Sequence, residues 1–249
     1  MERHGQIMEI LQERRCVTVD YLSKKLYTSG ATIRRDLQKM EEEGLLKRVR
    51  GGAVLVGGTY VDVPVMLRAN RNREAKTAIA RLALPYVKSA STIFMDSSST
   101  VAELARLCEG VGEKSIISNG VDTLNVLNDF SNVKLYSTGG MIQNRSAYIG
   151  TIAQNAVASR YADVLFFSCC GVSAQWGVTE ATEENAVIKR AMANNSQSRI
   201  LLADFGKLNQ VYFCKTCGID MIDVVITDKK PPEEFMEAAG CDFIYPETD

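Results

Sequence analysis

The chain has 249 residues, 46% hydrophobic and 24% charged, with a net charge of −1 and a single histidine, His4. This is the composition of a soluble globular protein with room for one large domain or two unequal ones, and it excludes a disordered chain. One histidine near the start of the chain removes Ser-His-Asp and Cys-His catalysis and histidine-rich metal sites, so no catalytic residue, metal or cofactor is expected.

The first residues lack the apolar core of a signal peptide, and no apolar run approaches the length of a bilayer crossing, which predicts a cytoplasmic protein without a membrane partner. The seven cysteines (16, 108, 169, 170, 214, 217 and 241) are odd in number and scattered. They read as reduced thiols. Charge is uneven: residues 1–58 carry 11 Lys/Arg against 8 Asp/Glu, leaving 18 against 22 for the remainder.

Ile7, Ile10 and Leu11 recur at helical spacing; so do Val19, Leu22 and Leu26 after a Thr18 cap, and Ile33, Leu37 and Met40 after Ser29. Three short amphipathic helices follow, the third ending at Gly44. Leu45–Val49 and Ala53–Val56 then flank Arg50-Gly51-Gly52 as a basic hairpin. With Ile33, Leu37 and Met40 turned inward, the third helix presents Ala31, Arg35 and Gln38 outward, with Thr32 and Arg34 on the shoulders. The acids Glu41, Glu42 and Glu43 close that helix and would repel phosphates. Its amino-terminal half is therefore expected to enter the major groove of double-stranded DNA. Ser29, Ala31, Thr32, Arg34, Arg35 and Gln38, with Lys47, Arg48 and Arg50 of the hairpin, are the expected DNA contacts. The sequence Thr28-Ser-Gly-Ala-Thr-Ile-Arg-Arg-Asp-Leu37, with Glu42-Glu-Gly-Leu-Leu-Lys-Arg-Val-Arg-Gly-Gly-Ala-Val54, resembles the winged helix-turn-helix motif of the DeoR family of bacterial transcriptional regulators. Gly30, in the first turn of the recognition helix, departs from that motif and costs helix stability.

Residues 1–58 are thus expected to form a winged helix-turn-helix domain, 59–75 a linker, and 76–249 an α/β domain with a mostly parallel sheet. In the last segment, strand-like runs (Thr92–Asp96, Ile116–Ser118, Val133–Tyr136, Val164–Ser168, Ile200–Ala203, Val224–Thr227) alternate with helices. Ligands of such sheets lie at the carboxyl ends of the strands. There the sequence places Asp96-Ser97-Ser98-Ser99-Thr100, Ser118-Asn119, Gly139-Gly140, Gly171 after Cys169-Cys170, and Lys207. Gly177, Thr179 and Glu183 complete the candidate ligand contacts. The four hydroxyls at 97–100 sit between a strand and a helix, where free backbone N–H groups suit an anion; they equally suit a plain helix cap.

The order of these motifs, with Ser146-Ala-Tyr-Ile-Gly150, Gly177-Val-Thr179 and Glu183-Glu-Asn-Ala-Val-Ile-Lys189, is similar to the sensor domain of the DeoR family, which shares its fold with ribose-5-phosphate isomerase. The resemblance implies a repressor of sugar or polyol genes, released from operator DNA by a phosphorylated sugar or polyol effector bound at Asp96–Thr100. Ser98 stands where the family usually has glycine. Asp96 and Asn119 are expected to hold sugar hydroxyls, and Lys207 to supply a countercharge. A homo-oligomer, dimer or tetramer, is expected because two heads double the DNA contacts. Two other readings stay open: an isomerase-like enzyme carrying a DNA-binding head, and a thiol sensor built on Cys214-Lys-Thr-Cys217.

Overall fold

The computed structural model describes residues 3–14, 16–43, 45–49, 51–55 and 72–247. The chain divides into two compact units, 1–71 and 72–249. In the first, α1 (Arg3–Arg14), α2 (Val19–Lys25) and α3 (Gly30–Glu42) enclose Ile7, Leu11, Val19, Leu22, Ile33, Leu37 and Met40, each buried. The Thr18 hydroxyl caps α2 by accepting from Tyr21 N–H, and the Ser29 hydroxyl caps α3 by accepting from Thr32 N–H.

The hairpin is β2 (Leu46–Val49) against β3 (Gly52–Leu55), in antiparallel register with Val49 opposite Gly52. A third strand that the sequence pattern did not reveal, β1 (Cys16–Thr18), pairs with the other edge of β3, so the wing is a three-stranded sheet in the order β1-β3-β2. Gly52 makes this possible, because a Cβ there would lie 2.0 Å from the carbonyl oxygen of Val17. Gly44, Arg50 and the linker residues 59–71 lie outside the described residues.

In the second unit α4 (Arg73–Ser89) begins within the stretch assigned to the linker and is followed by β4 (Thr92–Met95), α5 (Ser99–Ala105), β5 (Lys114–Ser118), α6 (Val121–Leu127), β6 (Val133–Ser137), the hairpin β7 (Met141–Gln143) and β8 (Ala147–Ile149), α7 (Thr151–Ala158), β9 (Ala162–Phe167), β10 (Gly171–Ser173), β11 (Gly177–Glu180), α8 (Glu183–Asn194), β12 (Ser196–Leu202), β13 (Cys214–Cys217), β14 (Val224–Ile226), α9 (Glu233–Ala239) and β15 (Asp242–Ile244). Seven strands form one sheet in the order β15-β14-β12-β9-β4-β5-β6, with every pairing parallel. Six of them match the runs read from the sequence, while β15 was missed. The hairpin β7-β8 and the small antiparallel sheet β10-β11-β13 were missed as well, because strands of three or four residues carry too little periodicity to be read.

Both faces of the parallel sheet are covered, as such sheets require. Phe94, Leu165, Phe167, Leu201 and Val225 point to the face covered by α7, α8 and α9, and Ile93, Met95, Phe166, Ile200 and Leu202 to the face covered by α4 and α5. At the amino-terminal edge the Asp163 carboxylate accepts from the N–H groups of Ser91 and Thr92, both at 2.8 Å, joining β9 to the start of β4. Those two bonds, Thr92 first, hold Asp163 below the usual carboxylate range. A depressed pKa gives stability that is present above the ordinary aspartate value and lost as the pH falls through the folded one. Asp163→Asn is therefore expected to lower urea-denaturation stability by about 1–2 kcal/mol at neutral pH, with the gap to the native chain closing as the pH falls below the ordinary aspartate range; an equal gap at neutral and acidic pH would contradict this role.

Candidate functional site

On the first unit the predicted recognition face is laid out as the helical period demands. Ala31, Arg34, Arg35 and Gln38 are exposed and Thr32 is half-buried. The Ser29 hydroxyl is committed to Thr32, capping its N–H and lying 2.9 Å from its hydroxyl. Gln38 donates to Glu42 on the same surface. On the wing Lys47 and Arg48 are exposed. Arg48 is tied to Glu41, which accepts its backbone N–H at 2.7 Å and sits 3.9 Å from its guanidinium. A Cβ added at Gly30 would make ordinary contact, 3.4 Å from Val19 Cγ1, so packing does not demand glycine there.

Sequence reasoning missed Asp36. It is buried on the inner side of α3 and receives Arg3 Nε and Nη2 at 2.5 and 2.9 Å. That hydrogen-bonded guanidinium holds the Asp36 carboxyl below the usual range and ties α1 to the recognition helix. The helical period does put residue 36 beside Ile33, Leu37 and Met40, and that was the available signal.

In the second unit the chain order reverses between β4 and β9, since β5 and β6 extend the sheet one way and β9, β12, β14 and β15 the other. This is the topological switch point at which doubly wound sheets bind ligands. Asp96, leaving β4, and Ser168, leaving β9, meet here. The Ser168 N–H donates to Asp96 Oδ2 at 3.2 Å, and the Ser98 N–H donates to Asp96 Oδ1 at 2.9 Å. Lys189 of α8 reaches the same carboxylate at 3.0 Å, donates to the Ser168 carbonyl at 2.7 Å and pairs with Glu180 of β11. Asp96, Glu180 and Lys189 are all buried. Burial would push the Lys189 ammonium toward its neutral form, but Asp96 and Glu180 outweigh it and the pKa is raised. Asp96 is thus the tether of the loop, which corrects the expectation that it is a free acceptor for a sugar hydroxyl.

The loop above this tether is part cap and part open. The helix starts at Ser99, two residues earlier than its apolar pattern suggested, and the Ser98 hydroxyl caps it by accepting from Val101 N–H at 3.3 Å. The first-turn N–H groups of Ser99 and Thr100 have no intrahelical acceptor. Among the described residues four buried side-chain polar atoms lack a hydrogen-bond partner: Thr100 Oγ1, Asn119 Oδ1, Thr216 Oγ1 and Thr227 Oγ1. Three of them, at residues 100, 119 and 227, follow the carboxyl ends of β4, β5 and β14. Asn119 spends its amide N–H on the Tyr148 carbonyl, leaving Oδ1 as an acceptor. Gly120 lets the two loops close on each other, since a Cβ there would lie 2.8 Å from Ser97 Cα.

Other expected ligand residues have internal employment. Ser118 Oγ accepts from Gly120 N–H. Thr179 Oγ1 donates to the Gly171 carbonyl and accepts from Tyr212 N–H. A Cβ on Gly171 or Gly177 would strike the Gln210 or Cys217 carbonyl oxygen, so both glycines answer to packing. Gly139 and Gly140 turn the chain from β6 into β7 with φ of 63° and 106°. Glu183 is exposed at the start of α8. Lys207 donates to Ser168 Oγ at 2.7 Å and lies 3.7 Å from Asp204, so it is already engaged. A depression of about 250 Å³ lined by Tyr86, Ser89, Asp163, Gln197 and Ser198 lies at the opposite edge of the sheet, away from these groups. The Cys214–Cys217 pair offers no activated thiol in this setting: burial raises Cys214 and pushes Cys217 up to about 11, the reverse of a reactive pair. Among the described residues no cluster of three ligating side chains suits a metal, and no helix is long and apolar enough to cross a membrane.

Residues 3–58 match the DeoR-like helix-turn-helix domain and residues 71–229 the DeoR C terminal sensor domain. The chain belongs to the DeoR family. This DeoR-family regulator is 33% identical over 230 residues to the HTH-type transcriptional regulator GolR of Listeria innocua, covering 92% of this chain and 91% of that one. It is 29% identical to the HTH-type transcriptional repressor GlcR of Bacillus subtilis, covering 100% and 97%. A D-ribose-5-phosphate isomerase bound to phospho-erythronic acid superposes with a TM-score of 0.40 at 14% identity, covering 55% of this chain and 54% of that one, a likeness too low to argue from.

Two substitutions test the two halves of this DeoR-family protein. Lys189→Met leaves two buried carboxylates without their cation and is expected to cost roughly 3–5 kcal/mol in denaturant unfolding; a loss below ~1 kcal/mol would mean that the cluster is not holding the switch point. Lys47→Ala should weaken binding to operator and unrelated DNA alike and flatten the salt dependence of log K by about 0.9. A loss confined to one sequence would instead make Lys47 a base reader.

Proposed function

We propose that this regulator is a homo-oligomeric repressor of a sugar or polyol catabolic operon, released from its operator by a phosphorylated intermediate held at Ser97–Thr100. The observation that carries the reading is the pair of unpartnered buried atoms, Thr100 Oγ1 and Asn119 Oδ1, beside the first-turn N–H groups of Ser99 and Thr100, which have no intrahelical acceptor, at the switch point. Buried polar groups are ordinarily satisfied, so these await partners. The N–H groups and the threonine hydroxyl suit phosphate oxygens, and Asn119 Oδ1, an acceptor, suits a sugar hydroxyl. With Lys189 and Lys207 already paired, the phosphate relies on backbone and hydroxyl donors, and Ser98 narrows its approach to the backbone.

Binding without turnover is the natural use of this arrangement. The acids an isomerase would need for proton transfer, Asp96 and Glu180, are locked on Lys189. The repressor name of GlcR favours the same direction of control. Two heads in a two-fold assembly would read repeated half-sites, and an effector preferring the arrangement that misaligns them would release DNA.

The test is fluorescence anisotropy of the full chain on labelled DNA from upstream of its own gene cluster, at fixed salt. The titrants are glucose 6-phosphate, fructose 1-phosphate, fructose 6-phosphate and glycerol 3-phosphate, each beside its unphosphorylated parent. One phosphate should change DNA affinity by about fivefold or more while its parent does nothing. Tight DNA binding indifferent to every phosphate would overturn the effector class and leave the serines as a helix cap.

A further inference from the structure

Asn72, the first described residue of the sensor unit, sits in an unusual position. It occupies the N-cap position of α4 with left-handed backbone angles (φ 53°, ψ 41°), yet its side chain makes no capping hydrogen bond. Asparagine is among the preferred capping residues, and it tolerates left-handed geometry better than most. Here the side chain turns away from the helix, and its Nδ2 donates to Asp204 Oδ1 at 3.1 Å. Asp204 Oδ2 lies 3.7 Å from Lys207 Nζ, which donates to Ser168 Oγ at 2.7 Å. Ser168 donates its hydroxyl to the Leu202 carbonyl and its backbone N–H to Asp96 Oδ2. Asp96 Oδ1 then receives Ser98 N–H of the anion loop.

We infer that Asn72 is a latch: this polar relay of Asp204, Lys207, Ser168 and Asp96 couples occupancy of the Ser97–Thr100 loop to the first turn of α4, where the sensor unit begins. The inference rests on the proposed anion site and adds to it the route by which binding is felt. Asp204, Ser168 and Asp96 are each no more than 6% exposed, so the inner links of the relay work in a low dielectric, where a broken link is costly, while Lys207 is half-buried and Asn72 itself is exposed. An anion that draws the Ser99 and Thr100 N–H groups toward itself shifts Ser98, and therefore the Asp96 carboxylate, and the shift passes through Ser168 and Lys207 to Asp204. Asn72 precedes the helix that opens the sensor unit and directly follows residues 59–71, which join it in sequence to the DNA-binding domain. Coupling of this kind is reciprocal, so loosening Asn72 must also loosen the loop.

Hydrogen exchange followed by mass spectrometry on the full chain tests this, with inorganic phosphate as the probe. Asn72→Gly removes the donor while keeping the left-handed backbone accessible, and Ser168→Ala cuts the relay far from α4 in sequence. Thermal melting of each variant checks that the fold is kept. In the native chain phosphate should slow exchange both at 97–101 and at Lys76 N–H, the first bonded amide of α4, by about fivefold or more. In both variants the protection at 97–101 should persist and that at Lys76 vanish. Protection of the loop alone in the native chain would overturn the relay and leave the anion site standing. If phosphate protects nothing, the anion reading fails, and the ligand-free exchange of 97–101 decides the relay: faster in Asn72→Gly upholds it, unchanged overturns it.

Discussion

A buried lysine held between two buried carboxylates, Lys189 with Asp96 and Glu180, is the constraint on which the sensor domain depends. Three charges removed from water are costly unless each is paired and its remaining hydrogen-bonding capacity filled. Here the ammonium also donates to the Ser168 carbonyl, and Asp96 also receives the N–H groups of Ser98 and Ser168. The cluster joins α8, β11 and the ends of β4 and β9, which are the elements that meet where the strand order reverses. Replacing it with apolar groups would fill the volume but lose the directional bonds that set the Asp96–Thr100 loop.

Of the two uses that its sequence leaves open, that loop makes one directly, the helix cap, and the proposed anion site would share the same turn. Ser98 is a helix cap, since its hydroxyl takes Val101 N–H. The cap uses one first-turn donor and leaves those of Ser99 and Thr100, together with the unpartnered hydroxyl of Thr100. A serine in place of glycine is compatible with an extended Ser98 (φ −77°, ψ 149°), so no left-handed strain arises. In the proposed site its effect would fall on the space left for an anion, narrower than glycine would leave.

The DNA-binding domain solves a different problem with few residues. Three short helices and a three-stranded wing give a small core, and the domain compensates with directional ties: caps at Thr18 and Ser29, and the Arg3–Asp36 pair between α1 and α3. Fixing α3 against α1 fixes the direction in which Arg34 and Arg35 are presented. The acids that follow do more than repel phosphate, because Glu41 also holds the backbone of the wing at Arg48. The third helix and the wing are thereby tied to each other through Glu41 and Arg48.

The sequence by itself determined both domain classes, the three helices of the head with their inward and outward faces, and six of the seven parallel strands. These features rest on local periodicity, which each segment carries in its own residues: Ile33, Leu37 and Met40 at helical spacing, or Thr92–Met95 as a continuous apolar run. It also placed Asp96–Thr100 after β4 and Asn119 after β5, because the ends of those strands follow from the same apolar runs. What tertiary structure alone decided was the use of each polar side chain. Lys189 and Glu183 lie on one helix, and only the fold buries the first against Asp96 and exposes the second. Asp204 and Asn72 are 132 positions apart, and Lys207, which read as a free countercharge, is engaged with Ser168. Hydrogen bonds and ion pairs act over a few ångströms between residues remote in sequence, and no pattern within a single segment records which partner each will meet.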